Sequence, residues 1–371
     1  MTYTFEVALT VFLVMVIISQ LIAGMTKMRL GLPLVLGVLG VVGFHYGWIP
    51  KDIAELSNMK AVGFIAFNVL VIHSGTAIDR SDFRRYKREF AFLLSVVALS
   101  LMAVYMVSAV IFTKEIALIA LGPVFGGGAT AAITSVASLA THKELSAIPW
   151  LIFMLQSAVA IPILEIVLKK AMQETNTLNC SKFEVNEEKN ALIDRIPTHM
   201  KSPAYYLGGI LVFSLVAKWI HLKLFAGIGI HFAVVALFSG ALLGHFGILD
   251  KKPLARADSY GLLLLGLMSL LLETLANTPL KAIIGLLIPV IVILLVAVMS
   301  LAICAVILAP LFGIKTYHSL AIGLACMIGF PSVDYLLNKR GLKNEEFIRL
   351  TNPWIINGLS IMIGGIVAAL L

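Results

Sequence analysis

Pro123-Val124-Phe125-Gly126-Gly127-Gly128-Ala129-Thr130-Ala131-Ala132 gathers in one short stretch what a chain needs to bind an anion without a charged side chain. The proline breaks a helix, the glycines permit close backbone approach, and Thr130 leaves a hydroxyl at the turn. Where a helix restarts near Thr130, its unpaired N–H groups and the positive end of its dipole face whatever occupies the tip. Gly126, Gly127, Gly128 and Thr130 are therefore candidate binding residues, and Thr134 and Ser135, one turn on, add hydroxyls. A second stretch, Met327-Ile328-Gly329-Phe330-Pro331-Ser332-Val333-Asp334, has the same punctuation with different chemistry. Pro331 breaks the helix, Ser332 is placed to cap the next one, and Asp334 is ionisable where charge is costly. A carboxylate there, with carbonyls of the broken backbone around it, suits a sodium ion; a proton on Asp334 would do the same electrical work. His73 and Glu273 stand at repeat-related positions among Asn68, Ser74, Thr76, Thr274 and Asn277, and are suited to pairing, relaying protons or lining a polar path. Gln156 and Ser157, and later Asn352, Asn357 and Ser360, offer amide and hydroxyl edges beside the two stretches, with Asn357 a further substrate ligand. Glu165 precedes Lys169 by four residues and is expected to pair with it near a span end.

These groups must be positioned by elements suited to lipid. Of 371 residues, 60% are hydrophobic and 13% charged, and the apolar residues come in runs of about 17 to 25, the length that spans a bilayer. The segments lack the period-two alternation of a membrane barrel, so the fold class is all-α and polytopic. The net charge of +8 sits in short loops, as orientation signals do, which argues against nucleic acid as a partner. Cys304 and Cys326 fall in apolar segments and Cys180 in a polar one, so neither a disulfide framework nor a metal cluster is expected. Met1 to Leu21 has Glu6 and no basic start, and reads as a retained first span. No His-Glu-x-x-His motif or Ser/His pair at one depth suggests an enzyme, so no catalytic residues and no cofactor beyond a coupling ion, Na+ or H+, are expected.

The chain also repeats itself about 200 residues on. His45-Tyr46-Gly47-Trp48-Ile49-Pro50-Lys51 has an echo in His245-Phe246-Gly247-Ile248-Leu249-Asp250-Lys251, Gly40 matches Gly240, and Pro149-Trp150 returns as Pro353-Trp354. Spans are expected near 5–24, 31–49, 60–79, 90–112, 116–141 and 147–169, then near 203–220, 229–249, 259–277, 282–311, 316–338 and 348–371. The organisation is thus a transmembrane repeat over 1–170, a polar cytoplasmic linker over 171–202, and a second repeat over 203–371. If the fifth segment of each half crosses fully, the 28 Lys and Arg divide almost evenly between the two sides. If both dip in and return, three quarters of them fall on one side, as the positive-inside rule requires. Each repeat then has five crossings and one re-entrant hairpin, the repeats are inverted, and both termini face outward. Two related halves of this kind are the plan of secondary transporters, which place substrate where the repeats meet.

With Leu32-Pro33 opening a Gly-rich second span, Ser74-Gly75 ending the third, the Gly126–Ala132 motif in the fifth and Tyr317 to Cys326 leading into the second hairpin, the chain resembles the glutamate:sodium symporter family and its 2-hydroxycarboxylate transporter relatives. Phe125 to Ile163 is also similar to the sodium-dependent bicarbonate transporters. The resemblance implies hairpins that carry substrate across, elevator fashion, against a dimeric scaffold, with Gly126, Gly127, Gly128 and Thr130 at the substrate. It departs at Ala129, where the family motif has a third glycine, and at Phe330-Pro331-Ser332, which replaces a glycine-rich tip. The expectation is a homodimeric symporter of a small organic anion such as glutamate or a related acid, in the bacterial inner membrane. A bicarbonate symporter, a carrier or exporter of a neutral or cationic solute and, outside transport, a channel or scaffold remain as alternatives.

Overall fold

The computed structural model describes residues 3–76, 78, 87–175, 197, 200–250, 253–328 and 353–371. Among these the chain is helical throughout, with no strand. The first half contains α1 (Phe5–Met25), α2 (Leu32–His45), α3 (Ile53–Leu56), α4 (Met59–Thr76), α5 (Lys87–Ile111), α6 (Lys114–Val124), α7 (Gly128–Thr141) and α8 (Ile148–Thr175). The second contains α9 (Pro203–Ile220), α10 (Phe232–His245), α11 (Pro253–Arg256), α12 (Tyr260–Asn277), α13 (Leu280–Leu308), α14 (Thr316–Ile328) and α15 (Pro353–Leu370). Seven helices among the described residues are long and apolar enough to cross a membrane. Their starts follow local chemistry: Thr113 accepts from the Ile116 N–H at 3.3 Å, Ser202 from the Tyr205 N–H at 3.2 Å, and Pro203 opens α9 where its missing N–H costs nothing.

The turns that follow α2 and α10 match one another in detail. α2 and α10 both end in a residue pair followed by a left-handed glycine, Gly47 at φ 70° and Gly247 at φ 62°. In the first turn the N–H groups of Trp48 and Ile49 both donate to Gly43 O; in the second, those of Ile248 and Leu249 both donate to Leu243 O. A one-turn helix follows in each half, α3 or α11, and then a non-glycine residue at positive φ, Asn58 at 54° or Asp258 at 49°. These short helices and strained corners belong to the loops that the sequence leaves unassigned.

α4 and α12 form the centre, and they run antiparallel. Met59 O accepts from Ser269 Oγ at 2.8 Å, Gly63 packs on Gly266, and the His73 ring lies 5.7 Å from that of Tyr260 at the other end. A Cβ on Gly63 would strike Gly266 O, so the backbones touch where these glycines meet. Because each helix follows its own Gly47 or Gly247 turn, the two turns lie at opposite ends of this pair.

The glycine-rich segment is a helical hairpin. α6, at about 16 Å, and α7, at about 21 Å, are each too short for a hydrocarbon core of about 30 Å. Gly122 on α6 packs against the Thr134 side chain on α7, a contact that a straight broken helix could not make. The chain therefore turns back at Phe125–Gly127. α7 restarts at Gly128, two residues before the position expected from Thr130, because the backbone at Gly127 is already extended, φ −93° and ψ −161°.

Candidate functional site

The hairpin tip is buried between α8, α12 and α15, and its carbonyls are accounted for one by one. Phe125 O accepts from Ser360 Oγ at 2.5 Å, Gly126 O from Gln156 Nε2 at 3.1 Å, and Gly127 O from Thr130 Oγ1 at 2.6 Å as well as from the Ala131 N–H. Its donors are not. Gly127, the N-cap of α7, supplies no side-chain cap, and the N–H groups of Gly127, Gly128, Ala129 and Thr130 find no acceptor among the described residues. Four such donors sit at the positive end of a helix, inside the molecule, with Gly128 and Thr130 buried and Gly127 and Ala129 half-buried.

The three glycines play different parts. A Cβ at Gly126 would collide with Thr130 Oγ1, and one at Gly128 would lie 2.8 Å from Leu267 Cδ2 and 3.1 Å from the Phe153 ring. Both are held as glycine by packing. A Cβ at Gly127 meets nothing within 4 Å, and its φ is open to any residue. Neither packing nor backbone geometry requires glycine there; what its absent side chain leaves is free space against the unpaired donors.

Gln156 is 2% exposed, and its Oε1 has no hydrogen-bond partner among the described residues. The amide is oriented by its neighbour: Gly126 O needs a donor, so nitrogen faces it and oxygen is left over. An unpaired buried acceptor costs roughly 1–3 kcal/mol.

Beside α7 lies a cavity of about 440 Å³, with Ala132, Leu270 and Trp150 towards the tip and Lys143, Glu144, Glu273, Asn277 and Thr278 among its other walls. Ala132 is only four residues from the first residue of α7, about 6 Å along the helix. Phe64 and Leu139 give the cavity apolar sides.

Ser135 donates to Ser146 O at 2.8 Å, tying α7 to the turn before α8, and is part of the cavity wall. Two pairings expected from the sequence need correction. His73 and Glu273 do not meet: His73 lies by Tyr260, whereas Glu273 is 13 residues further along α12, about 20 Å away. Antiparallel packing puts equivalent positions at opposite ends. Glu273 instead pairs with Lys60 at 2.7 Å, a cation at the start of α4 that the sequence reading did not single out. Glu165 pairs with Arg29 at 3.2 Å rather than with Lys169, because α8 packs beside the α1–α2 turn. Gly126, Gly127, Gly128 and Thr130 are together at the tip. Ser332 and Asp334 lie outside the described residues, as does the side chain of Asn357, whose backbone is in α15.

No protein-family model and no curated protein matches this chain. Among the described residues the fold is all-helical, with helices suited to a membrane.

Proposed function

We propose that the protein is a secondary active transporter that couples entry of a small organic anion, a carboxylate such as glutamate or a related acid, to a Na+ or H+ gradient. The observation that carries this reading is the uncapped start of α7: four unpaired N–H donors beside the open space at Gly127. A carboxylate supplies what those donors lack, and the helix dipole favours its charge. The cavity along α7 offers an approach from one face, and Glu273, which pairs with Lys60, is part of its wall.

The reading includes inverted repeats, each of five crossings and one re-entrant hairpin, in the bacterial inner membrane with both termini outside. The antiparallel α4–α12 pair and the matching turns support the inversion, and the hairpin of α6 and α7 supports re-entry in the first repeat. The homodimer and the elevator movement come from the family resemblance. Asp334 and Ser332 enter from the sequence alone, as an ion-coupling and a substrate ligand at the second tip, as does Asn357, a substrate ligand beside the hairpins. Ser135 as a substrate ligand, and His73 and Glu273 as separate ion-coupling groups, likewise enter from the sequence.

The test is uptake by proteoliposomes of labelled glutamate, citrate, 2-oxo acids and bicarbonate under an imposed sodium gradient and then a proton gradient. Accumulation that collapses with one gradient and is lost in Asp334→Ala supports the symport and names the ion. No accumulation of any anion by folded protein overturns it in favour of a neutral or cationic solute, or of a role outside transport.

A further inference from the structure

The hairpin break has a second end. α7 begins with donors to spare, but α6 stops with acceptors to spare. Phe125 and Gly126 both direct their N–H groups at Pro123 O, and Gly127 donates to nothing, so Gly122 O and Val124 O receive no backbone N–H from the break. Both residues are buried, at the negative end of α6. Gln156 reaches the same break, spends its nitrogen on Gly126 O and leaves Oε1 unpartnered at 2% exposure.

We propose that Gln156 Oε1 is a ligand of a monovalent metal cation bound at the α6 side of the break, with carbonyl oxygens of the break among its other ligands. An acceptor repels an anion, so this is not a second lobe of the anion site. Hard neutral oxygens without a carboxylate among the described residues at the break fit a singly charged ion better than Ca2+ or Mg2+, which recruit carboxylates. A primary amide does not titrate in the physiological range, so a proton cannot take the place. The inference rests on the symport reading, in which this cation is a coupling ion beside the one assigned to Asp334. It places cation and anion at the two ends of one hairpin break, where opposite charges neutralise each other and each helix end is satisfied.

The test uses purified full-length protein in lipid nanodiscs with no organic solute, its thermal unfolding followed as NaCl replaces choline chloride at constant ionic strength. The expected result is a saturable rise in Tm with Na+ that K+ does not reproduce, and a half-saturating concentration raised about tenfold or more in Gln156→Leu, the loss of about 1.4 kcal/mol. Ser360→Ala, which removes the neighbouring bond to Phe125 O, should lower Tm and leave the Na+ dependence in place. Should Gln156→Leu not fold, Gln156→Glu decides: an added negative charge lowers the half-saturating concentration. A wild-type protein with no Na+-specific rise, or Gln156 variants with wild-type half-saturation, overturns the site and leaves its oxygen to a water. Gln156-dependent Na+ binding without any uptake would keep the site and remove the symport; proton-driven uptake without Na+ binding would do the reverse.

Discussion

The tip glycines differ in what holds them, and that difference is measurable. Gly126→Ala forces a Cβ onto Thr130 Oγ1, and overpacking of that kind costs typically 1–3 kcal/mol, so lower Tm and lower yield are expected. Gly127→Ala meets no atom within 4 Å and should fold with wild-type Tm, yet it narrows the space before the N–H donors and should cut uptake about tenfold. Uptake unchanged in Gly127→Ala would mean that nothing binds there.

At the scale of elements, most of the helices are legible in the sequence because lipid imposes length and composition on each one separately. The break at Phe125–Gly127 is legible too, since Pro123 and three glycines announce it within a few residues. What joins elements is not: Lys60 meets Glu273, and Arg29 meets Glu165, across intervals that no local pattern encodes. The spare oxygen of Gln156 is hidden for the same reason, since an amide reads alike whether one edge or both are satisfied. Direction is what remains to be measured for the hairpin. Single cysteines at Lys114 and His142, which bracket α6 and α7, should react with a membrane-impermeant thiol reagent from the same side; reaction from opposite sides would turn the hairpin into a crossing.

At the scale of the whole molecule, an echo in the sequence becomes an echo in structure. The echo of His45–Lys51 in His245–Lys251 becomes a pair of turns with matched positive-φ glycines and matched hydrogen bonds, and these turns end up at opposite ends of the α4–α12 pair. Inversion across a bilayer follows if that pair stands upright, and cysteines at Tyr46 and Phe246 should then label from opposite faces. The proposed inversion also accounts for the separation of His73 and Glu273: a symmetry that reverses direction brings equivalent residues together only near its axis. The central claim is that this architecture exists to hold an anion against helix ends and exchange it for the energy of an ion gradient. The most direct measurement is the concentration ratio of a labelled carboxylate, inside over outside, reached by proteoliposomes holding wild-type protein or Gly127→Ala. A ratio well above one that falls to one when the ion gradient is dissipated, and is reached far more slowly by the variant, is what the account predicts; a ratio fixed at one with the gradient intact, however fast it is reached, would contradict it and describe a channel.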